Sequence, residues 1–123
     1  MHVLLVMAGG AVGAGLRHLV GRAALALAGP GWPWGTLTVN LVGGLAMGLL
    51  VGTLARTGGS ENARLLLGVG VLGGFTTFSA FSLDVANMIQ RGALGSAAFY
   101  VTLSVAGAIL ALFAGLALAR LPA

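Results

Sequence analysis

The chain has 123 residues, of which 59% are hydrophobic and only 7% charged. That balance is too apolar for a soluble core of this size and fits one integral membrane domain. All six basic residues are arginine and only two residues are acidic, so the formal net charge of +4 is spread thinly along the chain. No basic patch with interleaved aromatics offers a nucleic-acid surface, so no nucleic-acid partner is expected. The absence of cysteine excludes disulfides, thiolate metal sites and cysteine nucleophiles. His2 and His18 lie too far apart to hold a metal without other ligands, and so few polar side chains cannot assemble a nucleophile, a base and an orienting group. An enzyme is not expected.

In chain order, the first apolar segment covers about residues 3–28. It lacks a basic leading region and runs past signal-peptide length, so it is expected to stay in the mature protein. Gly9 and Gly13, and Gly10 and Ala14, recur four apart and would let another helix approach closely. Arg17 and Arg22 fall in its second half. Arg17 is either an anion-attracting charge at a vestibule or an anchor that snorkels to the interface. Residues 29–34 read as a turn, with Pro30 and Pro33 ending the helix and Trp32 and Trp34 suited to the headgroup level.

A second span over about residues 36–54 carries Asn40 one turn inside, followed by Gly44, Gly48 and Gly52 at four-residue steps. The glycines make a close packing face. The Asn40 amide either bonds to another helix or donates N–H to a passing anion. The polar loop at residues 56–62 offers Ser60 or Asn62 as a cap for the third helix, and Glu61 near its start suits the helix dipole.

The third span, about residues 63–90, reads badly as helix at its centre. Gly73 and Gly74 are followed by Thr76 and Thr77, whose hydroxyls compete for backbone bonds. A break near residues 73–77 is expected. Within hydrocarbon a break is tolerated only where protein or a wet cavity satisfies the freed backbone, so it usually marks an ion or substrate site. The alternative is an intact helix with a glycine-rich packing face. Phe78 and Phe81 share a face three residues apart, either as simple packing or as ring edges able to meet an anion. Ser79 and Ser82 form a polar stripe beside them. Asp84 lies well inside the span, where it must cap, pair with an arginine or titrate. The fourth span, about residues 94–119, aligns Tyr100, Ser104, Gly107, Ala108, Ala111 and Gly115 on one face. Its two hydroxyls outline a polar track, although serine in membrane helices also bonds its own backbone.

Four spans put both termini and the 56–62 loop on one side. Arg56, Arg64 and Arg120 then stand against Arg22 and Arg91, with Arg17 deeper. Such near-balance predicts insertion in both orientations. Four small-residue helices are also too few to enclose a pore, so an oligomer is expected, and an antiparallel homodimer meets both conditions.

The run Gly73-Gly74-Phe75-Thr76-Thr77-Phe78-Ser79-Ala80-Phe81, followed by Ser82-Leu83-Asp84, resembles the third-helix signature of the Fluc (CrcB-like) fluoride channels of microbes, GG-F-TTFSTFS-x-E. Residues 9–17 resemble that family's GG-x-x-GA-x-x-R and residues 35–43 its G-T-L-x-V-N-x-x-G, while Tyr100 and Ser104 are similar to its fourth-helix tyrosine and serine. The resemblance implies an all-α membrane protein with a broken third helix, assembled as a dual-topology antiparallel homodimer in the cell's inner (plasma) membrane. It implies a passive, electrogenic channel exporting cytoplasmic fluoride. Phe78 and Phe81 would line two parallel pores and Asn40 would contact the ion, with hydroxyls from Thr77, Ser79, Tyr100 and Ser104 along the path and Arg17 at the vestibule. A structural sodium ion would be held by main-chain carbonyls at Gly73 and Thr76. Two positions depart from the pattern, Ala80 for threonine and Asp84 for glutamate, and Ala108 and Leu112 continue the fourth-helix track without hydroxyls. Ala80 is expected to alter the polar track or reduce conductance without loss of the fold. Two rivals remain open, a proton-coupled small multidrug-type transporter using Asp84 and a non-transporting assembly subunit.

Overall fold

Four helical spans of 24 to 30 residues, each longer than the roughly 20 needed to cross a bilayer, make up almost all of the chain. The computed structural model describes residues 1–121. In chain order the elements are α1 (His2–Ala28), α2 (Trp34–Thr57), α3 (Glu61–Ala63), a π-helix (Arg64–Leu72), α4 (Gly73–Phe75), α5 (Ser79–Gln90) and α6 (Leu94–Ala119). α3 to α5 together form the third span.

The ends of the helices follow local chemistry. α1 stops at Gly29, whose φ of 77° only glycine adopts without strain and whose N–H donates to the Leu25 carbonyl. Trp34 belongs to α2 and not to the turn, because the Pro33 carbonyl already accepts from the Leu37 N–H and starts the helix there. α2 ends at Gly58 in the left-handed conformation. Of the two candidate caps for the third span, Ser60 serves: its Oγ accepts from the Ala63 N–H at 3.0 Å. Glu61 pairs with Arg64 one turn on, at the exposed end of the span.

The third span is broken, but later than the glycines imply. Gly73 and Gly74 are helical, and the chain leaves the helix at Thr76, whose ψ is 160°, before resuming at Ser79. The glycines serve packing instead. A Cβ on Gly74 would lie 2.6 Å from the Gly10 carbonyl oxygen, and one on Gly70 would lie 2.9 Å from the Gly9 Cα. α1 therefore lies backbone to backbone against the π-helix and α4, through the four-residue small-residue repeat read from its sequence. The nine-residue π stretch itself has no sequence signal; within it the Gly73 N–H reaches back to the Gly68 carbonyl.

The break lets the third span change partners. Before it, the span packs on α1; after it, α5 packs mainly on α6. α2 and α6 form the other close pair, and the Gly44, Gly48, Gly52 stripe meets the backbone or methyl groups of Ala108, Gly115 and Ala119. A small cluster of Leu37, Phe81, Met88, Ala97 and Tyr100 is buried where α2, α5 and α6 converge. Large apolar side chains such as Phe99, Leu110 and Phe113 face outward, as lipid contact requires.

A Cβ at Gly48 would fall 2.9 Å from the Leu116 nitrogen, whereas one at Gly15 would meet nothing within 4 Å. Gly48→Val is therefore expected to cost about 1–3 kcal/mol or more by overpacking. Gly15→Ala should instead be neutral or stabilising by up to about 1 kcal/mol. Thermal unfolding in detergent would check this, and equal effects at the two positions would contradict the packing described.

Candidate functional site

The break frees backbone groups at membrane depth, and four side chains from three spans answer them. Asn40 on α2 makes a reciprocal pair with Thr77: its Nδ2 donates to the Thr77 carbonyl at 3.0 Å, and its Oδ1 accepts from the Thr77 N–H at 2.8 Å. Arg17 on α1 donates through Nε to the Gly74 carbonyl at 3.1 Å, a cation placed at the C-terminal end of the first half-helix. Thr76 turns its hydroxyl back to the Leu72 carbonyl at 2.9 Å, and Thr77 Oγ1 accepts from the Ala80 N–H at 3.1 Å, opening the second half-helix. Among the described residues, no donor reaches the carbonyls of Gly73 or Thr76. Of the two openings at sequence level for Asn40, the bond between helices is present, and its second N–H stays free. Arg17 is neither a simple surface anchor nor remote from the break.

Beside the joint runs a groove of about 420 Å³ whose lining includes Asn40, Thr77, Phe78, Phe81 and Ser104. The two phenylalanine rings lie 5.6 Å apart, Phe81 buried at 7% exposure and Phe78 open at 77%. Ser104 is buried and its Oγ has no hydrogen-bond partner. An orphaned buried hydroxyl is costly. The groove lining contains no titratable side chain.

Other predicted residues lie elsewhere. Tyr100 is fully buried and does not line the groove; its hydroxyl donates to Asp84 Oδ2 at 3.0 Å, and its ring lies against Phe81. Asp84 thus finds its partner in a tyrosine and not in an arginine. Ser79 is exposed, 3.3 Å from Thr77 Oγ1, and Ser82 bonds its own backbone at Phe78. A second cavity of about 420 Å³ is lined by Arg17, His18, Arg22, Thr36, Thr77 and Ala80 among others. The methyl of Ala80 therefore stands on the Arg17 side of the joint, and Thr77 is the wall between this cavity and the groove. A third cavity, of about 330 Å³, lies under the loop after α1 and holds Asp84, Asn87 and Arg91. Sequence reasoning missed the hub at Trp32, whose Nε1–H donates to Ser96 Oγ at 3.0 Å. Nothing in the spacing of two residues 64 apart signals that bond.

The site offers neutral donors and ring edges in an apolar cleft, chemistry suited to holding a small anion without proton transfer. Among the described residues there is no cluster of three or more His, Cys, Asp or Glu able to hold a metal. Fold and site together define a multi-pass helical membrane protein with a polar joint at a broken span. The chain belongs to the CrcB-like family: the family model described as CrcB-like protein, Camphor Resistance (CrcB), matches residues 4–116. It is 62% identical over 120 residues to the "Fluoride-specific ion channel FluC" of Sphingopyxis alaskensis, covering 96% of this chain and 95% of that one. The proteins of the same name from Mesorhizobium japonicum and Caulobacter vibrioides are 56% identical over 119 residues and 60% identical over 120, with 94% or more of each chain covered.

Asn40→Ala strands both polar groups of Thr77, and each group left unpaired costs about 1–3 kcal/mol. The variant is expected to be less stable and to exchange its Thr77 amide hydrogen markedly faster. Wild-type protection of that amide in hydrogen exchange would show that the pair does not hold the joint.

Proposed function

We propose that this chain is a passive, electrogenic, fluoride-selective channel that lets cytoplasmic fluoride leave across the plasma membrane. It works as an antiparallel homodimer with two pores and a central structural sodium ion. The observation that carries the reading is the groove at the break, lined together by Asn40, Thr77, Phe78, Phe81 and Ser104. Fluoride is small and strongly hydrated, so a selective path replaces its water with hydrogen-bond donors. The high identity to proteins named for fluoride conduction supports that choice of ion.

Exposure supports the dimer. Phe78 is 77% exposed beside an open groove, so one protomer supplies only part of a pore wall. A second copy inserted the other way completes each groove, and the two-fold relation makes two pores. Near-balanced arginines at the two ends of the spans support dual insertion. Thr77 and Ser79 add hydroxyls at the joint, and Arg17 sets positive potential in the adjoining cavity. Tyr100 contributes its ring, since its hydroxyl is committed to Asp84. The undonated carbonyls of Gly73 and Thr76 fit a sodium ion, which takes hard oxygen ligands; they would hold it, and it would neutralise the carbonyl ends meeting at the break.

The proton-coupled alternative is disfavoured because Asp84 lies outside the groove and is bound by Tyr100. Fluoride-loaded liposomes with a potassium ionophore to release the voltage, followed by a fluoride electrode beside a chloride control, test the proposal. Rapid fluoride loss without chloride loss is expected, abolished in Phe81→Ile. Ser104→Ala should slow it about tenfold, the value of one lost hydrogen bond. Ala80→Thr should raise the rate, and a rate unchanged by it would sink that assignment. Efflux that follows a pH gradient and stops in Asp84→Asn would replace the channel with a transporter.

A further inference from the structure

The wall of the groove continues into a column of aromatic rings that ends far from it. Phe78 and Phe81 have ring centroids 5.6 Å apart, Phe81 and Tyr100 5.2 Å, Tyr100 and Trp32 5.2 Å at 77°, and Trp32 and Trp34 4.6 Å. Two of the rings past the groove, Tyr100 and Trp32, are fixed by polar ties. The Tyr100 hydroxyl is held by Asp84 at 3.0 Å, and the Trp32 indole N–H by Ser96 Oγ at 3.0 Å, one turn before Tyr100 on α6. Phe99 closes on Trp32 from the side, with centroids 6.2 Å apart.

Ring orientation matters at the groove because an aromatic edge is positive and its face negative. The tilt of the Phe81 ring therefore decides whether edge or face is turned to the groove. Phe81 has no polar atom to fix its own tilt, so the tilt is set by the side chains packed against it, of which Tyr100 is the one held by a hydrogen bond. We infer that Trp32, in the loop between α1 and α2, is a positioning residue for Phe81, acting through Tyr100. It sits outside the groove lining, so it bears on the ion only through those rings. The role rests on the channel reading above and assigns to an interfacial tryptophan a task beyond anchoring the loop.

The test uses the full-length protein carrying 4-fluorophenylalanine, with the Phe81 resonance assigned through Phe81→Leu, alongside liposome efflux. In Trp32→Leu the Phe81 ¹⁹F signal is expected to shift and broaden, while the signals of Phe75 and Phe113, which do not touch the column, stay in place. Fluoride efflux should fall about tenfold at unchanged gel-filtration volume. Trp32→Phe keeps a ring on Tyr100 and should restore most of both readouts. Ser96→Ala, which removes only the indole tie, should shift the Phe81 signal in the same direction by less, and it serves if Trp32→Leu does not fold. An unmoved Phe81 signal in folded Trp32→Leu or in Ser96→Ala overturns the inference, as does a shift of all five phenylalanine signals together. Absence of efflux from the wild type would refute the channel reading alone, because the ring signals decide the positioning without it.

Discussion

The reciprocal pair between Asn40 and Thr77 is the interaction on which this structure turns. A helix can be interrupted inside hydrocarbon only if the groups it releases find other partners, since each one left bare there costs several kcal/mol. A carboxamide is the neutral side chain that can serve both an N–H and a C=O of one residue at once, and Asn40 does so with bonds of 2.8 and 3.0 Å. An aspartate would lose the donor and bring a charge. Arg17 then covers the Gly74 carbonyl, so the joint is held from α1 and α2 together. Asn40 also lines the groove, so the residue that permits the break belongs to the groove wall as well.

Close approach of backbones is what brings those side chains within reach. Arg17 lies one turn beyond Gly13, at which a Cβ would stand 2.8 Å from the Phe75 nitrogen. Remove that contact and α1 moves outward, taking the guanidinium with it. On the opposite side the glycine stripe of α2 sets its distance from α6, and so sets how near Ser104 comes to Asn40. In a bilayer, where apolar surface gains little from leaving lipid, such packing and a few interhelical bonds must hold the bundle. The glycine content is thus tied to the site as well as to the fold.

Much of this was readable from the residues. Helical spans, the small-residue faces, the Ser60 cap and the existence of a break all follow from local composition. The break expected near residues 73–77 opens at Thr76, at the far end of that range, because glycine carries two meanings in a membrane helix, weak propensity and close packing, and at Gly73 and Gly74 packing prevails. What decides the true position is Thr77, whose backbone is claimed by a side chain 37 positions away. The Tyr100–Asp84 bond and the Trp32 hub were hidden for the same reason: they join residues whose separation in sequence carries no period. The π-helix is a geometric accommodation between spans, and no residue type announces it.

Tyr100 shows how one buried hydroxyl divides the polar groups of the molecule. Its oxygen satisfies Asp84, an acid that would be expensive within the span if unpaired. Its ring meanwhile fills the core against Phe81 and leaves the groove no carboxylate of its own. A carboxylate among that apolar lining would repel an anion. By binding the acid on the far side of the aromatic layer, the chain leaves only neutral side chains, Ser104 and Asn40 among them, lining the groove. One layer of rings thus separates the carboxylate from the polar side chains that line the groove.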